Sequence, residues 1–328
     1  MRALVVEEFA PYESHAIKEL ADPEPGAGEV IIDTRAMSVN FPDVLMVEGL
    51  YQHKPERPFI PGFDASGVIS AIGDGVAHLD VGDRVLTSRH YGAFCTRVVA
   101  PADHVYRMPD TMSFEEGAAF GLVYLTAYIS MMANARARAG ETVLVTGASG
   151  GVGLAMVQFG RAEGMTMLGG VTSPEKAALV KANGAAHAID LAADNLRDAV
   201  REQVYAVTGG EGVDLVMDPV GGDIFDASLR AIKPGGRIAV VGFASGRIPE
   251  VKANYLLVKR LSVIGSPLSA SRKDAVALRA AAMAHVFEHY ERGKLKPHIS
   301  ETLPFDDWQD AFRRFRNRQV VGKIVLTP

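Results

Sequence analysis

The sequence of 328 residues has little cysteine and little tryptophan, with one residue of each. Because Cys95 stands alone, the chain can form neither an internal disulfide bond nor a zinc site built from several cysteines. No run of about 18 apolar residues is present, so the sequence predicts no membrane-spanning helix. Acidic residues follow the start almost at once, which argues against a secretory signal. We therefore expect a cytoplasmic protein.

An excess of positive charge is also missing, because the formal net charge is −5. A mildly acidic chain has no general attraction for nucleic acids or anionic lipids. One local basic run leaves a non-enzymatic, RNA-binding or structural role open as an alternative. The negative charge of the surrounding residues favours a solvated helix face instead. The basic residues of this run are Arg313, Arg314, Arg316 and Arg318.

The pattern of strands and helices changes near residue 121. Residues 1–120 show short β-branched runs between Gly, Pro and Asp turns, which predicts an antiparallel, barrel-like domain. Residues 121–264 alternate apolar strands with helices, which predicts a doubly wound parallel sheet, the Rossmann α/β class. We expect residues 265–328 to return to the first domain.

A glycine-rich turn follows the first strand of this alternating region. Residues 148–153 resemble a dinucleotide-binding turn with alanine in the place of the first glycine. Such a turn brings backbone amides and a helix N-terminus to a pyrophosphate. The predicted contacts are Ser149, Gly150, Gly151, Val152 and Gly153.

The same turn also fits the nucleophile elbow of an α/β-hydrolase, with Ser149 as nucleophile. A hydrolase would further need an acid and then a histidine later in the chain. The available candidates are Asp218 with His285, His289 or His298. The additional glycine at 153 is not required by an elbow, which favours the nucleotide interpretation.

The end of the second strand distinguishes the two nicotinamide cofactors. NAD enzymes usually place an acid there to bind the ribose 2′-hydroxyl. Residues 169–173 contain none, and Thr172, Ser173 and Lys176 offer hydroxyl groups and an ammonium instead. These groups suit a 2′-phosphate, so the sequence predicts NADPH as the cofactor.

Several motifs together resemble one known family. Residues 146–158 (TGASGGVGLAMVQ), 39–43 (VNFPD), 61–68 (PGFDASGV), 81–85 (VGDRV) and 321–326 (VGKIVL) are similar to the zinc-free quinone oxidoreductase, or zeta-crystallin-like, branch of the medium-chain dehydrogenases/reductases. The resemblance implies a GroES-like catalytic domain around an inserted Rossmann domain, and a homodimer. It also implies NADPH-dependent hydride transfer to quinones or other α,β-unsaturated carbonyl compounds. An enoyl thioester or an alkenal remains an alternative substrate.

The resemblance also assigns roles to individual residues. It implies that Asn40 and Tyr51 lie beside the nicotinamide and the substrate, where Tyr51 donates a hydrogen bond or relays a proton. The cofactor contacts that it adds to the glycine turn are Thr126, Gly242, Phe243, Asn317 and Lys323.

The resemblance to this superfamily also argues against a catalytic metal ion. Zinc alcohol dehydrogenases of this superfamily carry a cysteine where this chain has Asn40, and a His-Glu pair where it has Phe63 and Asp64. We therefore predict no metal ligands and an activity independent of zinc. The stretch from His285 to His289 matches the H-x-x-E-H pattern of certain zinc peptidases, but without an evident third ligand we interpret it as a solvated helix face.

Overall fold

The computed structural model describes residues 1–268 and 275–328. The chain divides into two compact units. The first combines Met1–Leu122 with Pro297–Pro328, and the second comprises Val123–Lys296.

The strands, in chain order, are β1 (Arg2–Val5), β2 (Ala16–Glu19), β3 (Glu29–Val39), β4 (Asp64–Ile72), β5 (Arg84–Ser88), β6 (Arg97–Pro101), β7 (Val105–Arg107), β8 (Thr142–Val145), β9 (Thr166–Val171), β10 (His187–Asp190), β11 (Val213–Asp218), β12 (Ile232–Val240), β13 (Ser262–Gly265), β14 (Ile299–Pro304) and β15 (Lys323–Thr327). The α-helices are α1 (Phe41–Val47), α2 (Phe114–Tyr128), α3 (Gly151–Ala162), α4 (Pro174–Ala182), α5 (Leu196–Val207), α6 (Gly222–Ala231), α7 (Ala253–Lys259), α8 (Ala275–Glu291) and α9 (Trp308–Arg316). A π-helical turn, Ile129–Asn134, extends α2.

The first unit is built on a mainly antiparallel sheet. Its strands follow the order β14-β15-β3-β4-β5-β7, and β6 also pairs with β3. The long central strand β3 carries a buried β-branched run, Val30, Ile31 and Ile32, that packs the interior of the unit. The C-terminal strand β15 pairs antiparallel with β3, so the end of the chain belongs to this sheet.

The second unit contains a parallel sheet with the order β10-β9-β8-β11-β12-β13. Counted from β8, this is the 3-2-1-4-5-6 order of a doubly wound dinucleotide-binding fold. Its core includes Leu144, Val216 and Ile238 from neighbouring strands and Phe225 from α6. The predicted fold class, a Rossmann sheet together with a GroES-like domain, is confirmed.

The boundary near residue 265 differs between the sequence and the structure. The sequence assigned residues 265–328 to the first domain, whereas contacts place residues up to Lys296 in the second unit. The reason is α8, whose His285 and His289 bond to Glu163 directly after α3. An alanine-rich helix carries few large side chains, so its sequence does not reveal which domain it covers.

One helical stretch, Phe114–Asn134, is long and apolar enough to cross a membrane by length and composition. Most of it is buried, since 78% of its most apolar window lies inside the structure. The core helix of a soluble protein has the same properties, so the stretch is weak evidence for a membrane span.

Candidate active site

The glycine turn joins β8 to α3 in the second unit. Gly150 is the N-cap of α3, and no side chain caps the helix. The amides of the first helical turn therefore lack both an intrahelical acceptor and a side-chain acceptor. A Cβ atom at Gly153 would lie 2.4 Å from the carbonyl oxygen of Gly147, so only glycine allows the helix to approach the strand this closely. The turn has the donors and the shape that a pyrophosphate requires.

The hydrolase interpretation of Ser149 is not supported by the surrounding contacts. Asp218 accepts hydrogen bonds from the Thr146 hydroxyl and from the amides of Val220 and Gly221. These bonds fix the loop that follows β11 and use the carboxylate structurally. Of the candidate bases, His285 and His289 bond to Glu163, and His298 belongs to the first unit.

Thr172, Ser173 and Lys176 come together at the end of β9. Ser173 is the N-cap of α4 and accepts a hydrogen bond from the Lys176 amide at 3.3 Å. The Lys176 ammonium lies 3.4 Å from the Thr172 hydroxyl oxygen. The Lys176 side chain therefore turns back toward the end of β9, where its ammonium and the Thr172 hydroxyl lie together.

A carboxylate that sequence reasoning missed lies beside these donors. Glu175 is in the first turn of α4, and a hydrogen bond from the Ser173 side chain lowers the pKa of its carboxyl group. An acid two residues after an N-cap is a recognisable signal, because helix N-termini favour acids. The Ser173 hydroxyl is therefore shared between helix capping and this carboxylate.

The remaining predicted cofactor residues are dispersed. Gly242 and Phe243 lie close to Gly221, whose Cβ atom, if present, would be 3.3 Å from the Phe243 ring. Thr126 is buried within α2. Asn317 is the C-cap of α9 in the first unit, where its amide bonds to the Arg313 carbonyl. These assignments stay predictions.

A buried polar network lies at the start of α1 in the first unit. The Asn40 side-chain nitrogen donates to Asp64 Oδ2 at 3.0 Å and to the Ser38 carbonyl at 3.2 Å. Its side-chain oxygen accepts from the Lys323 ammonium, which also donates to the Val39 carbonyl. Both N–H groups of the amide are therefore already engaged by the protein.

Two carboxyl groups complete this network. Asp43 Oδ2 accepts the backbone amide of Asn40 at 2.7 Å, and Asp64 Oδ1 accepts the amide of Leu122 at 2.9 Å. Burial raises the pKa of Asp43 to about 8 and also raises the pKa of Asp64, while burial lowers the pKa of Lys323. The predicted cofactor contact of Lys323 is not supported by this geometry, because the side chain is only 3% exposed and its ammonium is bound to Asn40.

Tyr51 is held differently from Asn40. Its half-buried ring makes an edge-to-face contact with Phe63, with 5.9 Å between the centroids, and its amide bonds to the Leu45 carbonyl. Burial, and secondarily the charge of Asp43, raise the pKa of its hydroxyl group. The hydroxyl consequently stays protonated and able to donate a hydrogen bond near neutral pH.

The residues that the family resemblance equates with catalytic zinc ligands, Asn40, Phe63 and Asp64, have other surroundings here. Phe63 is buried and offers no ligand atom, and Asn40 already accepts from the Lys323 ammonium. Asp64 is bonded to Asn40 and Leu122. Cys95 is buried too, and burial raises the pKa of its thiol to about 12.

The interpretation of His285 to His289 as a solvated helix face is wrong for His289, which is 6% exposed. Both imidazoles bond to Glu163, which is the third metal-capable group that the sequence did not reveal. Glu163 lies more than 120 positions before both histidines, so no local sequence motif could have linked the three residues.

The basic run near the C-terminus is paired with acids. Arg313 and Arg314 contact Asp310, Arg314 also contacts Glu301, and Arg316 contacts Glu48. These ion pairs neutralise much of the local positive charge, which weakens the alternative of an RNA-binding surface.

Comparisons with known proteins agree with this architecture. Residues 26–110 match the alcohol dehydrogenase GroES-like domain, and residues 151–282 match the zinc-binding dehydrogenase family. The quinone oxidoreductase-like protein 2 homolog of Nematostella vectensis is 37% identical over 303 residues, covering 92% of this chain and 82% of that protein. Human quinone oxidoreductase is 35% identical over 329 residues, covering 99% and 97%.

A solved mycobacterial structure complexed with NADPH is also similar, with a TM-score of 0.90, 30% identity and full coverage of both chains. The chain is therefore a medium-chain dehydrogenase/reductase, an oxidoreductase built from a GroES-like and a Rossmann domain. Within that superfamily it belongs to the quinone oxidoreductase type, as the sequence motifs predicted.

Proposed function

We propose that this protein is an NADPH-dependent reductase that transfers hydride to quinones or other α,β-unsaturated carbonyl compounds without a catalytic zinc ion. The observation that carries the proposal is the network of Asn40, Asp64 and Lys323. The family motifs equate Asn40 and Asp64 with zinc-ligand positions of the zinc dehydrogenases, and here the Asn40 amide bonds to Asp64 and to the Lys323 ammonium instead. Polarisation of the substrate must then come from hydrogen-bond donors.

The proposed cofactor site combines the glycine turn with the end of β9. Amides at the start of α3 would hold the pyrophosphate, and the Lys176 ammonium and the Thr172 hydroxyl would hold the 2′-phosphate. Ser173 would join them only by turning its hydroxyl from Glu175 to the phosphate. Bound NADPH would supply the hydride. The NADPH complex of the similar mycobacterial protein supports this choice of cofactor.

In this proposal Tyr51 and Asn40 have different tasks. Reduction of an enone or a quinone leaves an enolate or phenolate oxygen, and the Tyr51 hydroxyl can donate to that oxygen. Both Asn40 N–H groups bond to Asp64 and Ser38, so a donor role for Asn40 would require these bonds to break. We therefore assign Asn40 to positioning and Tyr51 to catalysis, with water as the source of the proton.

The test is NADPH oxidation by chelator-treated protein with quinones, enones, alkenals and acrylyl thioesters. We expect turnover with a quinone or a simple enone and no gain on adding Zn²⁺. Loss of all activity after chelation, with recovery in Zn²⁺, would contradict the zinc-free mechanism. Preference for thioesters or alkenals would transfer the assignment to the alternative substrate class.

We also propose a cytoplasmic homodimer. The strand β13 ends the parallel sheet, and Leu257 and Val258 on α7 are 80% and 81% exposed. An open strand edge beside exposed apolar side chains favours association with a second copy. Light scattering after size exclusion tests the assembly, and cell fractionation tests the location.

A further inference from the structure

A three-residue cluster in the second unit plays no part in the proposed reaction. His285 and His289 lie four residues apart on α8 and therefore share one face of the helix. Their Nε2 atoms lie 2.7 Å and 2.6 Å from the same oxygen, Glu163 Oε1. Glu163 is the C-cap of α3, so the cluster joins two helices.

The surroundings restrain these ligand atoms. The Phe159 ring packs edge-on against both imidazoles, at centroid distances of 6.0 Å and 6.2 Å, and Tyr128 packs against His285 at 5.3 Å. The side-chain exposures are 7% for His289, 18% for Glu163 and 38% for His285. The aromatic wall fixes the ring planes, and the exposed side of His285 gives solvent access.

The ligand set is one that transition-metal ions bind. Two imidazole nitrogens and one carboxylate oxygen, with water in a fourth position, form a common zinc arrangement. The candidate ligand atoms all lie within 4.8 Å of one another. Zinc ligands about 2.1 Å from the ion stand roughly 3.4 Å apart in a tetrahedral site, so each distance from Nε2 to the Glu163 oxygen must lengthen by less than about 1 Å. The two Nε2 atoms, within 4.8 Å of each other, adjust to the same spacing by small ring movements.

We propose that Glu163, His285 and His289 form a binding site for a divalent transition-metal ion of the Zn²⁺ class. The ion would link α8 to the C-terminal end of α3, the helix whose N-terminus carries the glycine turn. A cation is also favoured there by the negative end of the helix dipole. None of the three residues occupies a zinc position of the related alcohol dehydrogenases.

The structure also limits the strength of this site. Metal-bound histidines usually donate their second ring N–H to an acceptor, and loss of that partner costs about 10–100-fold in affinity. His289 Nδ1 has no hydrogen-bond partner among the described residues. We therefore expect an affinity in roughly the micromolar range, weaker than that of closed structural zinc sites.

The experiment is a calorimetric titration of the full-length, tag-free and metal-stripped protein with Zn²⁺. We expect one ion per chain, with binding at least about tenfold weaker in the His285→Gln and Glu163→Gln variants. His285 is the most exposed ligand, so its replacement is the least disruptive to folding. NADPH binding by each variant reports whether the nucleotide-binding unit is intact.

A second histidine pair provides the matched control. His53 and His90 have ring centroids 5.3 Å apart, so His53→Gln removes one member of a close imidazole pair elsewhere. The proposal requires His53→Gln to bind Zn²⁺ as the unmodified protein does, and Zn²⁺ to raise the melting temperature of both. Absence of stoichiometric binding, or equal binding by the Glu163 and His285 variants, would overturn it.

Discussion

Replacing Lys176 tests the predicted preference for NADPH over NADH, because it removes a single ammonium group from the proposed 2′-phosphate site. Its ammonium lies 3.4 Å from the Thr172 hydroxyl oxygen, at the end of β9 where an NAD enzyme would carry an acid. Lys176→Ala removes the charge and leaves Thr172 and the Ser173 helix cap in place. NADH has no 2′-phosphate, so the two cofactors should respond differently.

The expected loss of NADPH binding free energy depends on how far the Lys176 ammonium is exposed to solvent. A unit charge pair at about 4 Å is worth roughly 1 kcal/mol in water and about 4 kcal/mol near a protein surface. Hydrogen bonds to charged groups contribute about 1.5–3 kcal/mol. Lys176 is half-buried, so we take the lower end, about 1.5 kcal/mol, which weakens NADPH binding about tenfold.

Fluorescence titration of NADPH and NADH against the unmodified protein and Lys176→Ala measures this difference. We expect the NADPH dissociation constant to rise about tenfold and the NADH constant to stay within about twofold. Lys181→Ala is the matched control, because Lys181 is an exposed lysine in the last turn of the same helix. Equal effects on both cofactors, or none on NADPH, would refute the assignment.

Three further predictions concern the other features. Tyr51→Phe should lower turnover at least about tenfold while leaving the NADPH dissociation constant unchanged, because it removes one hydrogen bond, worth about 1.5 kcal/mol, to the charged product oxygen; stopped-flow and binding measurements separate the two. Leu257→Asp should shift a dimer toward monomer in light scattering, because a charge replaces an exposed apolar side chain. Asp43→Asn should flatten the pH dependence of stability. The pKa of Asp43 is raised to about 8 in the folded protein. Below the unfolded pKa this shift contributes its full stabilisation. As the pH rises toward 8 the contribution is lost, by up to about 1.4 kcal/mol per pH unit. Urea denaturation between about pH 5 and about pH 9 measures the slope over the upper part of that range and its disappearance above the folded pKa.

Each of these predictions has its own control. An unchanged turnover in Tyr51→Phe removes the hydroxyl from the mechanism, and a monomeric unmodified protein removes the proposed interface. Asp110→Asn changes an exposed acid in the same unit and should leave the pH slope as it is. Parallel slopes for Asp43→Asn and the unmodified protein would show that Asp43 does not carry a raised pKa.

The fold was predictable because its signals are local. The turn that begins α3, the capping residue Ser173 and the alternating apolar strands each depend on neighbours within about ten residues. The placement of α8 was missed for the opposite reason. Its docking depends on Glu163, more than 120 residues earlier, and its alanines fit many surfaces equally well.

The site was predictable as a set of positions but not as a set of contacts. Family motifs indicated Asn40 and Lys323 separately, as a substrate neighbour and a cofactor contact. The structure joins them across 283 positions in sequence, because β15 pairs with β3. Strand pairing between distant segments is decided by tertiary packing, which a single sequence does not display.

The charges of this network explain how a lysine can be buried at the start of α1. Two carboxyl groups face one ammonium, so three ionised groups would leave a net negative charge in the interior, which is costly. Asp43 resolves the imbalance: its Oδ1 atom has no hydrogen-bond donor among the described residues, and its raised pKa keeps it protonated at neutral pH. The remaining pair, Asp64 and Lys323, is neutral overall and is connected through Asn40, which bonds to both. The amide of Asn40 is therefore held by its bonds to Asp64, Ser38 and Lys323, which is why the proposed mechanism gives the donor role to the Tyr51 hydroxyl.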